Sequence, residues 1–153
     1  MAKSEIVGDT IHAEVEIAAP PEKVFRALTE PGQLVKWWGS ESVYVTTYWE
    51  MDLKPGGRWR SVGKAVANGE EFQVEGEVLE VDPPRVLSYS WNPTFAKIQT
   101  TVVRYALEAT STGTKVSVTH SGFADKVQEM HAHSQGWIRV LDWLGSYLKG
   151  LAA

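Results

Sequence analysis

The chain has 153 residues, a formal net charge of −4 and no cysteine. That length suits one domain around one core, and the missing thiols exclude disulfides, thiolate nucleophiles and cysteine-based metal sites. The 15 basic residues are scattered along the chain, and no apolar run nears the roughly 20 residues that span a bilayer, so neither nucleic-acid binding nor a membrane span is expected.

The opening Met1-Ala2-Lys3-Ser4-Glu5 lacks the apolar stretch of a secretion signal, and the expected location is the cytoplasm. The first element expected is a strand. In Ile11-His12-Ala13-Glu14-Val15-Glu16-Ile17 apolar and polar residues alternate, the period of a sheet with one wet face. Ile11, Ala13, Val15 and Ile17 face inward, and His12 faces solvent. Pro20-Pro21-Glu22 then opens a short helix carrying Val24, Phe25 and Leu28 at helical spacing. Thr29-Glu30-Pro31-Gly32 interrupts it. A further turn or two of helix follows over Gln33 to Trp38, setting Leu34, Trp37 and Trp38 against the body, and Gly39 ends it.

From there the chain reads as a meander of about six strands. Val43, Val45, Thr47, Trp49, Met51 and Leu53 alternate with Tyr44, Thr46, Tyr48, Glu50 and Asp52, and the acids read as the wet side. Lys54-Pro55-Gly56-Gly57 places Pro and Gly where a type II turn needs them. Asn68-Gly69 is the strongest short hairpin signal in the chain. On the next strand Gly76 and the blurred phase at Val78-Leu79 predict a bulge or bend. Asp82-Pro83-Pro84 turns the chain, and Leu87, Tyr89 and Trp91 form the following inner face. Asn92 to Gln99 reads as the longest loop of the sheet. Val103, Tyr105 and Leu107, then Thr114, Val116, Val118 and His120, complete the inner faces. The last element is a long amphipathic helix with Val127, Met130, Ser134, Trp137, Ile138, Leu141, Leu144, Leu148 and Leu151 at spacings of three and four. Gly136 sits inside it, a costly residue there, and marks a kink or a close approach.

Strands running into a helix argue for an α+β fold in which a curved antiparallel β-sheet wraps the long C-terminal helix. The order and spacing of several stretches resemble the START-like, helix-grip (SRPBCC) superfamily. Within it they are most similar to the bacterial family related to the C-terminal domain of the activator of heat-shock protein 90 ATPase. The stretches are Ile17 to Thr29, Leu34 to Gly39, Asp52 to Trp59, Gly76 to Leu87, and Gly136-Trp137 with the leucine-rich helix after it. Together the likeness spans Ile11 to Leu151. The resemblance implies a cavity between helix and sheet that holds an apolar small molecule; it does not imply one reaction. The eukaryotic activator has a further N-terminal domain that engages the chaperone. This length leaves no room for it, so chaperone activation is not carried over, and a chaperone-ATPase cofactor acting through a protein surface stays as the third reading.

Seven tryptophans, five tyrosines and four phenylalanines favour a lined groove in so small a domain. Behind Trp59, the small Ser61, Gly63 and Ala65 leave space on the inner face. The residues expected around a small hydrophobic ligand are Trp38, Trp59, Ser61, Phe72, Tyr89, Trp91, Tyr105, His120, Trp137 and Leu141. The loop Asn92–Gln99 and the segment Ser121–Lys126 are placed to gate it.

His120 is the most interesting titratable group on an inner face and, with Tyr89 or Tyr105, a candidate proton carrier of a polyketide cyclase-like alternative. The other reading, a strand-end histidine bonded to a neighbour, is favoured. His131 and His133 form H-x-H, but residues two apart on a helix point to different sides. No metal, cofactor or catalytic constellation is expected: there is no G-x-S-x-G elbow and no Gly-rich phosphate loop. Trp143 and Tyr147, beside the main helix stripe, pack on the sheet rim or form a homodimer contact.

Overall fold

In the computed structural model, residues 2–94 and 100–152 are described. The chain opens with β1 (Lys3–Val7), a strand not expected from the sequence, and β2 (Thr10–Ile17). They pair antiparallel with Val7 opposite Thr10, so only Gly8 and Asp9 form the turn, and Gly8 takes a φ of 64°. A glycine-first two-residue loop is a hairpin signal in its own right. β1 is tied to the far end of the molecule. The Ala2 N–H donates to Asp142 Oδ1 at 2.8 Å, and the Ser4 and Ser134 hydroxyls lie 2.7 Å apart.

Two short helices follow, α1 (Pro21–Thr29) and α2 (Pro31–Trp37). Both begin on a proline, whose missing N–H costs nothing at a first helical position. Pro31 therefore starts the second helix, two residues ahead of the expected Gln33. The helices are clamped by the Trp37 indole N–H, which donates to the Ala27 carbonyl at 2.8 Å. Leu34, Trp37 and Trp38 are buried as expected.

The remaining strands are β3 (Gly39–Ser40), β4 (Tyr44–Met51), β5 (Arg58–Ala65), β6 (Glu71–Asp82), β7 (Val86–Pro93), β8 (Thr101–Ala109) and β9 (Thr114–Ser121). The nine strands of the described residues form one antiparallel sheet in the order β1-β2-β9-β8-β7-β6-β5-β4-β3. The first strands and the end of the meander thus lie side by side, while β3 and β4 form the opposite edge. The long helix α3 (Val127–Ala152) lies against the inner face, buried through Met130, Trp137, Leu141, Leu144 and Leu148. Val127 and Leu151, the outermost members of the expected stripe, are exposed.

Two bulges set which side chains face in. The bend expected near Val78-Leu79 is present as a register shift between Val78 and Glu80. A second shift, between Thr46 and Tyr48, was not expected. It makes Thr47 an extra residue in β4 and reverses the alternation there. Trp49 and Met51 face in, but ahead of the bulge Tyr44 and Thr46 do so, while Val45 and Thr47 are exposed. Of the expected loop Asn92–Gln99, Asn92 and Pro93 belong to β7, and 95–99 lie outside the described residues. The segment Ser121–Lys126 is anchored by Phe123, which is fully buried with its ring 4.7 Å from that of His120. No helix among the described residues is long and apolar enough to cross a membrane.

Candidate functional site

The helix runs closest to β2 and β1, and the inner face is left unfilled over β4, β5 and β6. A recess of about 310 Å³ remains there, at the small end of ligand-sized pockets. Its sheet side is Tyr44 and Thr46 of β4, Ser61 and Gly63 of β5, Phe72 and Val74 of β6, and Trp91 of β7. Trp38, just past α2, closes one end. Ala132, His133, Gly136, Trp137, Arg139 and Val140 of α3 form the roof.

Small residues on both sides create the space. Ser61 and Gly63 follow the bulky Trp59 on the inner face of β5. A Cβ on Gly63 would lie 2.5 Å from Phe72 Cζ, so the tip of the phenylalanine ring occupies the place where a side chain would otherwise stand. On the helix a Cβ at Gly136 would meet nothing within 4 Å. Gly136 therefore marks neither a tight approach to the sheet nor a filled contact: it leaves the recess open.

The aromatic walls are held by hydrogen bonds from behind. The Trp137 indole N–H donates to His120 Nδ1 at 3.0 Å. An indole is a donor only, so Nδ1 carries no proton and His120 is the neutral tautomer protonated at Nε2. That N–H donates to Thr101 Oγ1 at 2.7 Å, and the Thr101 hydroxyl donates on to the Trp91 carbonyl at 3.2 Å. His133 is arranged the other way round. Its Nδ1–H donates to the Glu129 carbonyl at 2.8 Å, while its Nε2 accepts the Trp91 indole N–H at 3.2 Å. Two recess tryptophans are thus each fixed by a neutral histidine. Burial pushes the His120 pKa well below the usual histidine range, with the nearby His133 adding to it, and burial likewise lowers that of His133.

Of the residues expected around a ligand, Trp38, Ser61, Phe72, Trp91 and Trp137 line the recess. Trp59, Tyr89, Tyr105, His120 and Leu141 do not; each is 0–1% exposed and packs behind it. Their size explains the difference, since large rings on the inner face meet one another and fill their own space. The Trp59 and Tyr89 ring centroids lie 4.6 Å apart, and the Tyr89 and Tyr105 hydroxyls share a hydrogen bond of 2.9 Å. The Trp59 indole N–H donates to the Ser90 carbonyl at 2.9 Å, whereas the buried Trp49 N–H finds no acceptor among the described residues.

Tyr44, Thr46, Arg139 and Val140 were missed. The bulge conceals the first two, and Arg139 reads as a solvated helix position. Tyr44 is held by the Trp143 ring, at 5.6 Å and edge-on, and the Tyr147 hydroxyl donates to Gln33 Oε1 at 3.1 Å. The two helix aromatics therefore pack on the sheet rim and on α2. His120 and His133 approach edge to face at 5.3 Å while His131 is exposed, and among the described residues no three metal-ligating side chains gather.

Solved structures share this architecture. A Chromobacterium violaceum protein is 28% identical with a TM-score of 0.79, covering 90% of this chain and 96% of its own. A Rhodobacter sphaeroides protein superimposes with a TM-score of 0.86 over 97% of this chain and 98% of its own, at 20% identity. An AHSA1-like protein from Aeromonas hydrophila gives a TM-score of 0.77 at 23% identity, covering 94% of each chain. No curated protein matches. The profile of the family described as "Activator of Hsp90 ATPase homolog 1-like protein" matches residues 18–149, from the end of β2 almost to the end of α3. With its helix-grip fold and that match, the chain belongs to the Activator of Hsp90 ATPase homolog 1-like family of START-like proteins.

Proposed function

We propose that the chain binds a small hydrophobic molecule, with at least one flat ring, in the recess between β4–β6 and α3. The observation that carries this reading is space kept open inside aromatic walls. Gly136 of the helix and Ser61 of the sheet border a volume of about 310 Å³ walled by Trp38, Phe72, Trp91 and Trp137. Filling such a volume with apolar side chains would stabilise the fold, by about 0.8 kcal/mol per buried methylene. Leaving it unfilled therefore sacrifices stability, as a binding site does. Rings also offer a flat ligand stacking contacts worth about 0.5–1.5 kcal/mol each beyond area burial.

Native mass spectrometry of the purified protein, followed by denaturing extraction, tests the proposal. A co-purifying apolar compound supports it. A bare mass, followed by no change in tryptophan fluorescence with an aromatic and lipid library, removes it. Nothing in the geometry favours the cyclase-like alternative. Its candidate proton carrier, His120, lies behind Trp137 with both ring nitrogens engaged. Pull-down of the host Hsp90 at micromolar concentration would instead favour action through a protein surface.

A further inference from the structure

We infer that the ligand of this recess is an amphipathic carboxylate, its apolar body among the tryptophans and its anionic group at Arg139 and Tyr44. This rests on the binding reading above and goes further by naming the ligand's polar end. Among the described residues Arg139 is the only charged side chain lining the recess. Among the described residues it has no ion pair; the six salt bridges engage other cations. Asp142, one turn along the same helix, is engaged elsewhere and accepts from the Ala2 N–H at 2.8 Å.

Tyr44 supplies a second donor beside it. Its hydroxyl lines the same recess and carries a proton to donate. Burial pushes the Tyr44 pKa up to about 12, although the nearby Trp38 indole and the positive Arg139 both act to lower it. Tyr44 therefore stays a neutral donor at any physiological pH. Of the other polar groups of the wall, the Ser61 hydroxyl is a single neutral group on β5, and two more are already committed. Thr46 donates to the Trp38 carbonyl, and both His133 nitrogens are engaged. A guanidinium and a phenol O–H at the edge of an apolar chamber recognise an acceptor, and a planar carboxylate matches the guanidinium fork.

Four probes test this by isothermal titration calorimetry: 2-naphthoate with 2-naphthamide, and decanoate with 1-decanol. Each pair keeps its body and differs in charge. Wild type is expected to bind each carboxylate about tenfold tighter than its neutral partner, as a charge-assisted contact discounted for exposure provides. Arg139→Gln should erase that preference while the neutral probes still bind. Arg139→Lys should keep part of it, and rising salt should shrink it in wild type. Arg139 is exposed, so neither variant threatens the fold. Equal binding of acid and neutral partners, or an unchanged preference in Arg139→Gln, overturns the carboxylate inference and leaves the hydrophobic site standing. Failure of all four probes to bind overturns both.

Discussion

Replacing Gly136 separates packing from function at one position. A Cβ there would meet no heavy atom within 4 Å, and the backbone conformation is an ordinary helical one. Gly136→Ala therefore carries no steric cost, and only the intrinsic helix preference remains. Alanine is favoured over glycine in a helix interior by about 1 kcal/mol. In a domain of this size that amounts to a rise in Tm of about 2–4 °C. Gly136→Leu adds apolar contacts within the recess and should be at least as stable. It should also block the chamber. The assays are differential scanning calorimetry for stability and calorimetric titration with 2-naphthoate for binding. The expected pattern is higher Tm with progressively weaker binding from Gly to Ala to Leu. A fall in Tm of Gly136→Ala by a similar amount would refute the reasoning, because glycine would then be serving the helix rather than the space below it. Undiminished binding in Gly136→Leu would place the ligand elsewhere.

Gly63 is the opposite case: Phe72 Cζ lies 2.5 Å from the point a Cβ would occupy, so Gly63→Ala must displace that ring. It should cost about 1–3 kcal/mol in urea unfolding, and a loss under about a third of that range would contradict the contact. Tyr89→Phe and Tyr105→Phe each leave a buried hydroxyl without its partner, at about 1–3 kcal/mol apiece. The double variant should lose less than the sum of the two, and simple additivity would be inconsistent with their 2.9 Å bond. Trp59→Phe breaks a satisfied hydrogen bond while Trp49→Phe removes an orphaned donor, so the second should be the milder in thermal unfolding. Acid should weaken the fold. His120 and His133 resist protonation when folded, so the unfolded chain takes up the protons first. Their contribution is complete above pH of about 6.5 and is lost below it, from His120 alone at about 1.4 kcal/mol per pH unit. His120→Asn keeps an acceptor for Trp137 but cannot titrate; urea midpoints at about pH 7.5 and about pH 5.5, either side of the free histidine value, should differ less in this variant than in wild type. An equal difference would assign the slope to other groups.

Much of the fold was legible because its signals are local and periodic. The alternation of β2, β8 and β9 survives intact from sequence to register, and Pro55-Gly56 and Asn68-Gly69 mark their turns. β1 was overlooked because Lys3 to Val7 carries only one large inward apolar residue, Ile6; its tether to α3 through Ala2 and Ser4 joins residues 140 and 130 positions apart. The site was harder to read. Period-2 reasoning places a side chain on a face but not along it, so Trp59, Tyr89 and Tyr105 looked equivalent to Trp91. Only the position of α3 decides which rings are covered and which border the gap. Thr47 hid two further wall residues, since one inserted residue reverses every assignment upstream of it.

The contacts among the indoles also shape how the protein handles light. Trp38 lies within 5.1–6.3 Å of Trp37, Trp49, Trp91 and Trp137, and Trp59 lies 5.6 and 5.7 Å from Trp49 and Trp91. At such separations excitation on one ring passes to its neighbours, so six chromophores act as a single antenna. Their emission is a property of the set, and their coupled transitions should give exchange-split bands in the circular dichroism spectrum. A quencher touching Trp91 alone would dim rings it never meets.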